Sequence, residues 1–568
     1  MKTQSFRILL FSLMAVTVLA GCGGLGKMEK YVEELNASAE PSPLIVRGDS
    51  IEVTITGTFP EKYFHRKVLV EATPVLVYDG GEQAFEMKGF QGENAAGNYE
   101  VIPYEQGKSF TYNDKIAYVD GMDDATLELR LKGMKGDKTQ QFPPLEVGKG
   151  TRTTPYLMMS DDKVLLAEDN FERVLNFEQN AVINYLVNSS YVRGSELRDA
   201  DMEALEDFME TAAEDDKITI TGVGIQSYAS PEGEISKNEN LAQERAESAQ
   251  KAVNRELKQN DMAPEDMESF YNLMPKGEDW EGFKEAMEAS DIEDKNLIIR
   301  VLEMYEDKNK REEEIRNLSK TFQVIEKRIL PDLRRSQIAV SYDVMGYSDE
   351  ELKELAMSNP DTLTVEEALY AATLYPELND KLTIYQSAEA SYPADYRTVN
   401  NVGYILMMQN KMQEAKAKFE QANSIEENPV STNNLGVIAR LEGDREEAIS
   451  MFNDAMSAGD EVKYNKGLVL IQQGEYTSAI NNMSNYQTFN LALAKVLNGD
   501  ATGAESTLTN SGNDSAMAHY LAAVIAARQN ISADVNSQLE MAIDADPSLK
   551  EKAKNDLEFI DYWDSFTF

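Results

Sequence analysis

Few residues in this chain could do covalent chemistry. Among its 568 residues there are two histidines, His65 and His519, and one cysteine, Cys22. The histidines are remote from each other in sequence, which leaves no basis for a hydrolytic triad or a zinc site. No glycine-rich phosphate loop precedes a helix, and no nucleophile elbow is present. The segment "NGDATGAESTL" starts like an acidic calcium loop but carries no acid at the twelfth place. The chain therefore reads as non-catalytic, with no metal and no cofactor. One stretch stands out: "SYASPEGEISKNENLAQERAE", residues 227–247, whose spacing looks like a site that grips a small zwitterionic group. In such a grip a carboxylate accepts from an ammonium, while a guanidinium fork receives a carboxylate through two hydrogen bonds.

Charge narrows the partners. A net charge of −44 with no basic stripe argues against nucleic acid, which is held by clustered Lys and Arg that displace counterions. It also repels anionic lipid head groups, so attachment to a membrane needs an anchor. The N-terminus supplies the pattern for one. Lys2 and Arg7 precede the apolar run "ILLFSLMAVTVLA", too short for a comfortable membrane span, and small residues follow. Leu19-Ala20-Gly21-Cys22 resembles a bacterial lipobox. The resemblance implies removal of residues 1–21 as a signal peptide and lipidation of Cys22. Gly23 stands where an Asp would retain such a lipoprotein at the inner membrane, so the expectation is an outer-membrane, lipid-anchored chain facing the periplasm.

Composition is that of a globular protein, 42% hydrophobic and 27% charged, long enough for several domains. Residues 22–42 hold Gly, Ser and Pro and read as a tether. From 43 to 152 the apolar residues alternate, as in Ile51, Val53 and Ile55 or Leu127, Leu129 and Leu131, and Gly/Asp turns separate the runs. This predicts an N-terminal β-sandwich of immunoglobulin-like size. Residues 165–345 mix periods. "AVINYLVNSS", "KITITGVGI" and "RRSQIAVSYDV" read as strands, Met202, Leu205, Phe208 and Met209 as one helical stripe, and Leu241 to Ala249 as another. The order gives a central α/β (α+β) domain, with an acidic helical insertion at about 258–330 built around residues such as Trp280.

From 348 to 568 the chain is helical and repetitive. "NNVGYILMMQNKMQEAKAKFEQA" and "NNLGVIARLEGDREEAISMFNDA" superimpose 33 residues apart, Gly403 on Gly436, Ala415 on Ala448 and Phe419 on Phe452. Gly467 and Ala479 keep the same internal step, and Thr364 with Glu367 forms a capping box upstream. These residues resemble tetratricopeptide (TPR) repeats, implying an all-α solenoid of five or six units whose groove holds a protein partner. The strands of 165–345 together with Gly233, Asn238, Leu241, Arg245, Ala246, Arg334 and Arg335 resemble the OmpA C-terminal, peptidoglycan-binding domain. That resemblance implies that Arg245 takes the carboxylate of a cell-wall diaminopimelate. The family aspartate falls on Ser230, and Glu232 is the residue that could return the missing charge. The expected function is a non-catalytic outer-membrane lipoprotein linking the envelope to peptidoglycan and, through its repeats, to protein partners. A rival expectation is an assembly subunit of an insertion, secretion or transport complex whose OmpA-like fold does not bind the wall. A second is a surface-exposed adhesin or nutrient-binding accessory.

Overall fold

Alternation builds the N-terminal part. In the strand Ser50–Phe59 the side chains of Ile51, Val53, Ile55 and Phe59 point inward and are buried. The strand Thr126–Lys135 does the same with Leu127, Leu129 and Leu131. The computed structural model describes residues 24–568; the signal segment and Cys22 lie outside the described residues. A five-stranded and a seven-stranded sheet, mostly antiparallel, send their apolar faces into one shared core, with Phe59, Phe64, Phe90 and Phe110 at one end. The expected tether is different from its reading. Helix Gly24–Lys30 and the turn Val32–Leu35 bury Leu25, Met28, Val32 and Leu35 in the same core, and Ser38–Glu40 pairs with the long strand. Helical spacing of those four apolar residues outweighs the Gly and Pro around them.

Two compact units divide the chain: Met1–Ala167 with Pro393–Phe568, and Glu168–Tyr392. In the first, helices pair as antiparallel hairpins: Tyr396–Met408 with Met412–Ile425, Pro429–Glu442 with Arg445–Asp454, Asp460–Gln472 with Tyr476–Met483, Phe489–Leu497 with Ala501–Ser511, and Ala516–Gln529 with Ser532–Ala545. The repeated glycines have a steric cause. A Cβ at Gly403 would stand 2.7 Å from the Phe419 ring, one at Gly436 2.8 Å from Phe452, and one at Gly467 2.2 Å from Met483. Each large residue of a second helix fills the space left on the first, so the hairpin closes tightly.

The second unit is built on a four-stranded sheet in the spatial order Val174–Asn184, Arg335–Met345, Ile218–Ala229, Tyr271–Glu278. The first two pairings are antiparallel and the last is parallel. Helices Ala200–Glu214 and Ile235–Gln259 cover one face. Met202, Leu205, Met209, Ala246 and Val253 pack there on Ile183, Val223, Ile225, Ile338 and Val340. The insertion makes its own small core around Trp280, Phe283, Ile298 and Ile325. It also contributes the edge strand Tyr271–Glu278, within a stretch whose sequence reads as largely helical. Helices Asp349–Ser358, Val365–Thr373 and Leu378–Ser391 belong to this unit rather than to the repeats. Phe171 stacks on Tyr370 at 4.4 Å, Arg173 pairs with Asp349, and the Thr364–Glu367 capping box is closed.

Candidate functional site

The structure brings three of the four expected site residues together and sets the fourth apart. Strand Ile218–Ala229 ends at Ser230, and Gly233, at φ 93°, turns the chain into helix Ile235–Gln259. In that turn the Ser230 hydroxyl donates to Glu232 Oε1 at 2.8 Å. The Asn238 amide donates to the Glu232 carbonyl at 2.9 Å and to Glu278 Oε1 at 3.0 Å. Arg334, the residue before the last strand, donates from Nη2 to Glu232 Oε1 at 2.8 Å and from Nε to Ser230 Oγ at 3.2 Å. Glu278 also accepts from Trp280 Nε1 at 2.8 Å, and Arg335 pairs with Asp279 at 2.8 Å. A carboxylate thus stands beside Ser230, but it is neutralised from within by Arg334.

Arg245 faces another way. Its side chain is buried and spends all three of its nitrogens on main-chain carbonyls: Nε on Ser189 at 3.0 Å, Nη1 on Tyr228 at 2.7 Å and Nη2 on Leu186 at 3.3 Å. The guanidinium lies over the Tyr185 ring, 5.0 Å from its centroid. Burial pulls its pKa down to about 10. This is the geometry of a residue that fastens the 186–189 loop to the end of a strand. A ligand carboxylate would have to compete with three existing hydrogen bonds.

A second site escaped the sequence reading. In the first unit, residues 159–167 run extended along the hairpins, gripped by asparagines on the first helix of successive repeats. Asn401 accepts from the Ala167 N–H at 2.8 Å and donates to its carbonyl at 3.1 Å. Asn434 does the same for Leu165 at 2.7 and 2.8 Å, Asn465 for Lys163 at 2.7 and 2.8 Å, and Asn490 for Met159 at 2.9 and 2.8 Å. Neighbouring amides tie the row together: Asn400 donates to the Leu165 carbonyl, Asn433 to that of Lys163, and Asn434 to Asn400 Oδ1. Side chains fix the register. Asp162 takes the buried Arg440, and Asp161 accepts from Tyr464 at 2.6 Å and from Asn490 at 2.7 Å. The signal was present in the sequence: the "NN" pairs at 400–401 and 433–434 open the two superimposed repeats, and helix interiors disfavour Asn unless its amide is used.

Helical hairpins with a polypeptide in their groove make the C-terminal part a TPR-like helical repeat. No protein-family model matches the chain, and no curated protein matches it. Solved structures similar to it include a tetratricopeptide repeat protein from Parabacteroides merdae, 13% identical, where 37% of this chain covers 91% of that one at a TM-score of 0.29. PilW, a type IV pilus biogenesis factor, is 17% identical, with coverage of 36% and 96% and a TM-score of 0.28. YrrB, a TPR protein with an unusual peptide-binding site, is 19% identical, with coverage of 36% and 99% and a TM-score of 0.22. At these scores the repeat assignment rests on the hairpins and their Gly–Phe packing.

Proposed function

We propose that this chain is a non-catalytic, lipid-anchored scaffold of the bacterial outer membrane facing the periplasm, a structural or assembly subunit that holds protein partners. The observation that carries this reading is the row of helical hairpins, which the 159–167 segment ties to the N-terminal sheets and which leaves its outer surfaces for partners. Amides that take both the N–H and the C=O of Met159, Lys163, Leu165 and Ala167 recognise extended main chain, while Asp161 and Asp162 set its register. In this chain the 159–167 segment occupies the groove and couples the N-terminal sheets to the repeats, so partners dock on the outside of that combined body. Crosslinking in intact cells should recover one stoichiometric envelope protein; recovery of none counts against the scaffold. Cys22→Ser should abolish labelling by a radioactive fatty acid and release the chain from the membrane fraction.

A peptidoglycan link is the second reading, favoured by one observation: Glu232 places a carboxylate within 2.8 Å of Ser230, where the OmpA-like resemblance puts its aspartate. Against it stand the internal pairing of Glu232 with Arg334 and the commitment of Arg245 to carbonyls. Sedimentation of the purified chain with insoluble peptidoglycan separates the two readings, since the scaffold reading leaves it in the supernatant.

A further inference from the structure

The four-stranded sheet packs the long helices Ala200–Glu214 and Ile235–Gln259 on one face, and the one-turn helix Met267–Phe270 stands at the rim of the other. Its other face carries Gly222 and Gly224 on the inner strand Ile218–Ala229, and glycine inside a strand costs about 0.5–1 kcal/mol relative to alanine. Such glycines usually mark a bulge or the close approach of something to the backbone. Gly222 follows a register shift after Ile220, which accounts for it. Gly224 has no such reason. Its φ is not in the left-handed region, and a Cβ there would meet nothing nearer than Met274 Cε at 3.7 Å. The fold would accept a side chain at this position.

The pairing register shows what the bare backbone makes. One row across the sheet reads Asn180, Ala339, Gly224, Asn272; the next reads Val182, Gln337, Gln226, Met274. On the other side of the first row, Glu178 lies level with Ser341 and Gly222. The two middle strands therefore offer a low floor of Gly222, Gly224, Ala339 and Ser341. Side chains of the outer strands wall it, and the glutamine pair closes one end. The cavity measures about 640 Å³. Tyr228 donates to Gln226 at 3.1 Å and steadies that amide. Among the described residues the carboxamides of Asn180, Asn272 and Gln337 make no hydrogen bond to the protein. No cation lines the cavity, and Glu178 is its one acid.

Free carboxamides both donate and accept, so they suit a ligand that does both without net charge. An anion is disfavoured by Glu178 and by the overall charge of −44. An extended peptide lying along the strands would run into Gln226 and Gln337. A compact ring with hydroxyls around its edge and an apolar face for the Gly224–Ala339 floor meets each demand, with Phe270 beside it as a further apolar wall. We propose that this face binds an uncharged sugar ring, seated over Gly224 and Ala339 and held at its edge by the amides of Asn180, Asn272 and Gln337. None of these residues belongs to the Ser230 turn or to the asparagine groove, so the inference stands apart from both readings above.

The test is saturation-transfer NMR on the full chain with N-acetylated chitotriose and, separately, with maltotriose at millimolar concentration. Transfer to at least one sugar is expected, and Gly224→Val, which fills the floor with a good strand former, should abolish it. Should Gly224→Val fail to fold by circular dichroism, Asn180→Ala with Asn272→Ala removes two exposed amides without touching the core and should weaken binding about tenfold. No transfer to either sugar overturns the proposal, as does transfer that the variants leave unchanged. Transfer instead to an uncharged extended peptide would assign the face to polypeptide and overturn it equally.

Discussion

Asn434 holds Leu165 by both halves of its main chain, accepting from the N–H at 2.7 Å and donating to the C=O at 2.8 Å, while its own residue stays fully buried in the first helix of a repeat. Three more asparagines repeat this contact along 159–167, so the groove is a two-sided hydrogen-bonding surface that a strand edge would otherwise provide. Net contributions of about 0.5–1.5 kcal/mol per hydrogen bond make the row a substantial clasp.

Asn434→Ala removes both bonds to Leu165 and leaves its half-buried N–H without a partner, while the carbonyl keeps the Asn400 amide, so a loss of about 1–3 kcal/mol in urea unfolding is expected. Asn434→Asp should cost more, because its carboxylate faces the Leu165 carbonyl that the amide had donated to. Equal stability of Asn434→Ala and the parent chain would show that the segment is not held by the row.

Arg440 and Asp162 form an ion pair with both side chains buried. Asp162→Ala leaves the guanidinium uncompensated and should cost about 3–5 kcal/mol, whereas Asp162→Leu with Arg440→Met should be near neutral. A double-mutant cycle by chemical denaturation measures the coupling, and additive losses would remove the pair from the clasp.

Legibility followed the range of the interactions. The period of two at Ile51, Val53 and Ile55 and the Gly403–Phe419 spacing depend on local geometry, and both were readable. The strand Tyr271–Glu278 was not, because Pro275, Lys276 and Gly277 break its pattern; it survives as an edge strand, where a missing N–H is tolerated. The role of Arg245 was hidden for another reason. Its spacing from Ser230 was visible, but its partners are carbonyls of Leu186 and Ser189, brought in from more than fifty residues away. The asparagines were visible as a repeat, yet nothing in their own sequence names the segment they hold.

Asp556 is largely buried, and burial, the foremost effect, pushes its carboxyl above the ordinary 3.8, although the Glu558 N–H and the Tyr520 hydroxyl oppose the rise. The folded chain therefore binds this proton more tightly than the unfolded chain does. Its stabilising contribution is complete below about pH 3.8 and is lost as pH climbs through the raised folded value. Asp556→Asn, which keeps an oxygen for the Glu558 N–H, should flatten the fall in melting temperature as pH rises above about 3.8. An identical pH profile in the variant would show that Asp556 is ionised at no cost.

Ser230→Asp would restore the acid of the OmpA-like pattern, and on a wall-binding view it should improve sedimentation with peptidoglycan. The geometry argues the reverse. Ser230 Oγ stands 2.8 Å from Glu232 Oε1, and Arg334 already bridges the two, so a second carboxylate would share one guanidinium in a nearly closed turn. Like charges at that distance raise the pKa of one of them. The variant should be less stable than the parent at pH 8, regain stability as pH falls through the raised value, and recover at pH 8 when Glu232→Gln is added. Its peptidoglycan sedimentation should be unchanged. A variant as stable as the parent at pH 8, with wall binding gained, would transfer the acid role to position 230 and leave Glu232 as a structural partner of Arg334.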